Sequence, residues 1–132
     1  MKRKYLIVVL IILIILAIVF IIFRGSEDSW IKDSRGVWIK HGNPLNTPVA
    51  ALQQQEAITC ALELYNSKLD EIPYSNISSQ CLGTCEDYAV DIVHVPRIVE
   101  DNLPENQCSD FREGKVSHFI ELDKNGNIIR IV

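Results

Sequence analysis

The sequence predicts an α+β protein: one N-terminal transmembrane helix, then a small domain with one amphipathic helix packed on an antiparallel sheet of about three strands, plus a small N-terminal hairpin. Three observations predict this fold class. An uninterrupted apolar run lies near the N-terminus, a stretch with helical spacing of apolar residues follows it, and short apolar runs bounded by turn residues occupy the C-terminal part. The expected boundaries are 1–24 for the basic N-terminus and anchor, 25–46 for a stem and Trp hairpin, and 47–132 for the α+β domain.

The apolar run covers residues 5–23 and contains no charge, glycine or proline. As a helix it would be about 28 Å long, close to the thickness of the hydrocarbon core of a bilayer. Seventeen of its residues are Leu, Ile, Val or Phe, so it lacks the polar face that a core helix of a small protein would present. Because no small-residue cleavage site follows Phe23, we expect this helix to be retained as a single-pass signal anchor.

The distribution of charge predicts how the chain is oriented. Lys2, Arg3 and Lys4 cluster before the apolar run, which favours a cytoplasmic N-terminus and an extracytoplasmic C-terminal domain in the cell membrane. Arg24 and later basic residues on the other side keep the inverted topology as an alternative. Beyond residue 24 the chain has 17 acidic and 9 basic residues, a balance that disfavours nucleic acid and anionic lipid headgroups as partners.

Four cysteines, Cys60, Cys81, Cys85 and Cys108, all lie beyond the apolar run. An even number in a small exported domain predicts two disulfide bonds. Three pairings are possible and the spacing does not choose between them. We favour Cys60–Cys81 with Cys85–Cys108, which would join the helix and the long loop to the strand region. Asn76-Ile77-Ser78 is a glycosylation sequon that matters only in a host that glycosylates exported proteins.

Local patterns place the elements of the domain. Two WIK triplets around Asp33-Ser34-Arg35-Gly36 predict the hairpin, and Thr47-Pro48 is typical of a helix start. The helix should continue to about Leu69, with its apolar stripe on one side and Gln53, Gln54 and Gln55 mostly on the wet side. The expected strands are 88–95, 116–122 and 128–132, the last two joined by a turn at 123–126, and the expected loops are 73–85 and 97–114.

The segment Trp30–Pro44, WIKDSRGVWIKHGNP, resembles a segment with two tryptophans, a glycine and Lys-His-Gly-Asn-Pro in uncharacterised membrane-anchored extracytoplasmic proteins of microbes. The resemblance covers fifteen residues and implies a cellular location, not an activity. Relatives often carry a cysteine near the first tryptophan, where this chain has Lys32. By element order alone, the domain also resembles cystatin-like and PepSY-like modules.

No catalytic or cofactor-binding constellation is evident, so the favoured function is a disulfide-stabilised binding module for an unknown envelope protein or ligand. Trp30 and Trp38 could form its partner surface. The alternative is a membrane-tethered thiol-redox or metal-binding domain that uses Cys81 and Cys85. In that reading His94 and His118, on adjacent predicted strands, could face each other and complete a metal site.

Overall fold

The structure, a computed structural model of the chain, describes residues 2–25, 28–68 and 80–132. The chain forms two compact units, which we describe separately. The first comprises residues 1–31 with 39–47, and the second comprises residues 32–38 with 48–132. The sequon at Asn76 and the expected loop up to residue 79 lie outside the described residues.

The first unit contains the apolar helix and most residues of the two hairpin strands, whereas the hairpin turn belongs to the second unit. Helix α1 spans Lys2–Gly25, which confirms the predicted helix, and its residues 3–23 are long and apolar enough to cross a membrane. A signal sequence near an N-terminus has the same length and composition. Strands β1 (Ser29–Lys32) and β2 (Trp38–His41) form a two-stranded sheet, which confirms the predicted hairpin.

The second unit is built from helix α2 (Val49–Lys68) and a four-stranded sheet in the order β3-β4-β5-β6. The strands are β3 (Cys81–Cys85), β4 (Tyr88–Ile92), β5 (His118–Leu122) and β6 (Ile128–Ile131). Between β4 and β5 lie two turns of 3₁₀-helix at Val99–Asn102 and Pro104–Asn106, and the short helix α3 at Ser109–Arg112.

The sheet corrects the expected topology in two ways. Residues 81–85, expected to be a loop, form the edge strand β3, so the sheet has four strands. Strand β4 pairs with β5 in parallel, whereas β3–β4 and β5–β6 are antiparallel. Residues 93–117 supply the long crossover connection that a parallel pair requires, so the expectation of a purely antiparallel sheet was wrong.

Helix α2 packs on one face of this sheet through small residues. Ala51, Ala57 and Ala61 are fully buried, and Tyr65 is nearly so. Alanines allow the helix backbone to approach the sheet closely, where it covers an apolar layer from all four strands. That layer comprises Leu82, Cys85, Val90, Ile92, Ile120, Leu122 and Ile131.

Gln54 was expected on the wet side of α2, but it is only 2% exposed. Its Oε1 accepts the Trp38 N–H at 2.8 Å, and its Nε2 donates to the Gly36 carbonyl at 2.9 Å. The Arg35 carbonyl next to it accepts the Ile131 N–H at 2.7 Å. Helix α2, through the Gln54 side chain, and strand β6, through the Ile131 N–H, therefore both hydrogen-bond to backbone groups of the hairpin turn and its end.

Gly36 is required in that turn. Its φ is +83°, and a Cβ at this position would collide with the Ile131 carbonyl. The close approach of the turn to β6 therefore depends on a residue without a side chain.

We expect Gln54→Ala to lower the free energy of unfolding by about 1–3 kcal/mol, because it leaves the Trp38 N–H and the Gly36 carbonyl without their partner. Thermal unfolding of the full-length protein in detergent micelles measures the loss. Amide exchange should also become faster over residues 36–38. Gln55→Ala, an exposed glutamine on the same helix, is the control and should change stability by less than about 0.5 kcal/mol. Equal effects of the two substitutions would contradict this role for Gln54.

Candidate functional site

All four cysteines are bonded, as Cys60–Cys85 and Cys81–Cys108. The prediction of two disulfides is confirmed, but the favoured pairing was wrong. A β-bulge between Cys81 and Gly83 is the reason. Cys85 packs in the apolar layer under α2, whereas Cys81 packs with Cys108 on the other side of the sheet.

The face of the sheet opposite α2 carries two buried carboxylates. Asp91 on β4 and Glu121 on β5 are direct neighbours in the parallel register and are 7% and 5% exposed. Arg97 Nη1 lies 2.9 and 3.0 Å from the two Glu121 oxygens, and Arg130 donates to the same oxygens at 3.1 Å through Nε and Nη2. Two guanidinium groups therefore compensate the charge of Glu121.

Asp91 receives much less compensation. The Cys108 N–H donates to its Oδ1 at 3.2 Å. Burial is the main cause that raises the pKa of Asp91 to about 6, and the Glu121 charge adds to it, while the Cys108 N–H and Arg97 act in the opposite direction. A carboxyl oxygen of Asp91 and the Sγ atoms of Cys81 and Cys108 all lie within 4.8 Å of one another.

A second buried carboxylate network lies beyond the end of β4. Asp101, 1% exposed, accepts the Ile98 N–H at 2.8 Å and contacts His94 Nδ1 at 2.9 Å. Gln80 also donates to Asp101. Burial acts to raise the pKa of Asp101, but the hydrogen bonds from the Ile98 N–H and from His94 outweigh it and the pKa is lowered. This network fixes the first turn of the crossover segment to the sheet.

An open groove of about 380 Å³ lies in the second unit, between the start of α2, the hairpin turn and the end of the sheet where β4 and β5 begin. Its lining includes the stacked rings of Tyr88 and His118, whose centroids are 4.9 Å apart. Trp38 lines one side, with Lys32 Nζ 5.4 Å from its ring centroid. The other lining residues are Ala50, Gln53, Gln54, Glu56, Glu86, Asp87, Ile131 and Val132.

The charged side chains of the groove are mainly acidic. Three carboxylates and one lysine line it: Glu56 on α2, Glu86 and Asp87 in the β3–β4 turn, and Lys32. Asp87 accepts the Ser117 N–H at 2.8 Å and lies 3.8 Å from His118 Nε2. The groove therefore combines aromatic surfaces with an excess of negative charge, a combination that suits a basic group carried on an apolar stem.

The structure separates the residues of the metal and redox alternative. Cys81 and Cys85 belong to different disulfides. Because β4 and β5 are parallel, His118 at the start of β5 and His94 beyond the end of β4 lie at opposite ends of the pair. His94 contacts Asp101, whereas His118 lies in the groove with Trp38. Trp30, in the first unit, donates to the Asn46 carbonyl at 3.0 Å and has Lys40 over its ring.

Sequence reasoning did not identify Asp91 or the groove carboxylates as site residues. In the sequence YAVDIVHV, Asp91 has the position of an ordinary solvent-facing residue of a half-buried strand. The one available signal was the long segment after this strand, which is able to cover that face. Glu86 and Asp87 carried no local signal beyond a polar turn.

Comparison of the chain with protein-family models, with curated proteins and with solved structures finds no significant match. The class is therefore defined by the structure alone: a small α+β domain with two disulfides that follows an N-terminal apolar helix.

Asp91→Asn should remove a pH-dependent loss of stability. The folded-state pKa of Asp91 is raised from 3.8 to about 6, so the folded protein binds more protons than the unfolded chain in that interval, and stability falls as pH rises from about 4 to about 6. Relative to wild type, the Asn variant should gain about 2 kcal/mol between pH 4 and pH 7. Unfolding of both proteins at the two pH values measures the difference.

Glu63→Gln, an exposed substitution on α2, is the control for this comparison. It should show the wild-type pH dependence. A stability difference between wild type and Asp91→Asn that is the same at pH 4 and pH 7 would contradict the assignment.

Proposed function

We propose that this protein is a single-pass membrane protein with a cytoplasmic N-terminus, and that its disulfide-stabilised extracytoplasmic domain binds a basic segment of another envelope protein. The groove between Trp38, Tyr88 and His118 is the observation that carries the proposal. No step of catalysis is part of it.

Three features support this membrane location and orientation. Helix α1 has the length and composition of a membrane span, and three of its four basic residues, Lys2, Arg3 and Lys4, cluster at its N-terminal end. Two disulfides fit a compartment in which cysteines stay oxidised. The resemblance of Trp30–Pro44 to membrane-anchored extracytoplasmic proteins points the same way.

The character of the partner follows from the groove. Stacked aromatic rings offer area to aliphatic stems, and the ring faces attract cations. Glu56, Glu86 and Asp87 offer three carboxylates to basic head groups, against one lysine. A segment that contains lysine or arginine next to an apolar residue meets both requirements, and the charge of the domain would accelerate its approach.

Disulfide mapping tests this location and orientation. Intact cells that express the full-length protein are treated with a membrane-impermeant thiol reagent and then with a permeant one, and the protein is digested without reduction. We expect cross-linked peptides for Cys60–Cys85 and Cys81–Cys108 and no labelled cysteine. Labelling of all four thiols by the permeant reagent alone would place the domain in the cytoplasm and overturn the topology.

Tryptophan emission tests the groove. The chain has two tryptophans, so Trp30→Phe leaves Trp38 as the sole reporter in full-length protein in detergent micelles. The probe is a blocked pentapeptide with two lysines flanking a leucine. It should change the Trp38 emission saturably and less strongly at high salt. The same peptide with glutamates in place of the lysines should have no effect.

Substitutions in the groove then separate specific binding from general attraction to an acidic protein. Glu56→Gln with Glu86→Gln should weaken binding about 2- to 30-fold, as expected for the loss of two exposed charge contacts. Glu63→Gln with Glu113→Gln removes two exposed charges that do not line the groove and should leave the affinity unchanged. Equal weakening by both pairs, or a response of Trp30 in the Trp38→Phe variant, would contradict binding in the groove.

A further inference from the structure

The two disulfides are alike in the exposure of their cysteines and in loop length, but they differ in whether a carboxyl group lies beside them. Each joins a half-buried cysteine, Cys60 or Cys81, to a cysteine that is 1% exposed. They close loops of similar length, with sequence separations of 25 and 27. In the described part of the chain, only the Cys81–Cys108 bond has a carboxyl oxygen within 4.8 Å of both sulfurs, that of Asp91.

We infer that Cys81–Cys108 is a site of thiol–disulfide exchange, in which an external thiol attacks Cys81, Cys108 is the leaving sulfur, and the carboxylic acid of Asp91 gives the leaving sulfur its proton. This activity is separate from the binding function proposed above and does not depend on it.

Access decides which sulfur is attacked. A thiolate must approach along the S–S axis from outside, and only Cys81 has exposed surface from which such an approach can begin. Cys108 is buried among Ala89, Val116 and the aromatic rings that pack against them. The two sulfurs of this bond therefore differ in access. A thiolate can reach Cys81 from solvent, whereas Cys108, the leaving group, is buried.

The surroundings of Cys108 require that this leaving group be protonated. Its Sγ lies 3.5 Å from the carbonyl oxygens of Gly83 and Val90, which accept a hydrogen bond from a thiol but repel a thiolate. A thiolate in this site would also lie beside Asp91. Because a leaving thiol of high pKa departs slowly, an acid that protonates Cys108 as the bond breaks would accelerate the reaction.

Asp91 is placed and poised to be that acid. The Cys108 N–H holds its Oδ1 at 3.2 Å, next to the sulfur of the same residue. The charged groups that face Asp91 are Glu121 from β5 and Arg97 from the crossover segment, and Cys81 opposite it on β3 is uncharged. Burial raises the pKa of Asp91 to about 6, so a substantial fraction of this carboxyl group is protonated in mildly acidic solution.

The reaction balances with a thiol as co-reactant. In the first step a thiolate forms a bond to Cys81 Sγ, the Cys81–Cys108 bond breaks, and the electron pair goes to Cys108 Sγ, which takes the proton of Asp91. In the second step another thiolate attacks the external sulfur of the mixed disulfide, and Cys81 leaves and takes a proton from water. Two thiols are oxidised to one disulfide, and Cys81 and Cys108 are reduced to thiols.

Reduction by dithiothreitol tests this inference on the full-length protein in detergent micelles. Samples are quenched with an alkylating reagent, and each disulfide is followed by peptide mapping from pH 5 to pH 8, with rates divided by the thiolate fraction of the reductant. The normalised rate for Cys81–Cys108 should fall as pH rises through about 6 as Asp91 loses its proton. The rate for Cys60–Cys85 in the same molecules should be flat.

Asp91→Asn separates a proton donor from a structural role. At pH 5 the variant should reduce Cys81–Cys108 at least about tenfold more slowly than wild type. At pH 8 it should be equal or faster, because the amide does not repel the departing sulfur. A variant that only loosens the fold would accelerate reduction of both disulfides at every pH.

A flat normalised profile for Cys81–Cys108 in the wild type would overturn the inference without any variant. Faster reduction of Cys60–Cys85 than of Cys81–Cys108 at pH 5 would do the same. Neither result bears on peptide binding in the groove, so the exchange activity and the binding function fail separately.

Discussion

Strand β3 joins helix α2 and the crossover segment to the sheet of the second unit, because one disulfide extends from each of its two faces. Residues four apart in a regular strand project from the same side, so Cys81 and Cys85 would both face α2 or both face away from it. The bulge between Cys81 and Gly83 changes this, and the φ of +149° at Gly83 is one that favours glycine. One five-residue edge strand is thereby linked to α2 and to the crossover segment, each link worth about 3 kcal/mol in a domain with a modest core.

The crossover segment also covers one face of the sheet, so it buries side chains that the alternation of the strands would otherwise leave in water. Asp91 and Glu121 are buried to a similar extent, but they differ in the groups that compensate their charge. Glu121 has two arginine partners, whereas Asp91 has one backbone N–H and a more distant guanidinium. The carboxyl group with little compensation, Asp91, is the one whose pKa is raised, and it is the one beside the disulfide.

The sequence predicted the elements whose signals are local and missed the features that depend on distant residues. Helix α1, the hairpin, α2 and the turn before β6 follow from hydropathy, spacing and turn residues. Strand β3 has five residues, a glycine and two cysteines, so it shows no period by which to recognise it. The parallel pairing and the disulfide partners depend on the path of residues 93–117, which no local pattern encodes. The sites show the same division: the sequence paired Trp38 with Trp30 and His118 with His94, whereas the register of β4 and β5 brings Tyr88 to His118 and Asp91 to Glu121.

The groove and the disulfide site share strand β4 but act as separate sites. Tyr88 belongs to the groove, and Asp91, three residues further along, belongs to the disulfide. Three residues of strand span about 10 Å, which is about one Debye length at an ionic strength of 0.1 M. A basic group held against Tyr88 would have Asp87 and His118 as its nearer titratable neighbours, and Asp91 lies further along the strand. The proton affinity of Asp91 is set mainly by its burial under the crossover segment, by the Cys108 N–H and by the charge of the adjacent Glu121.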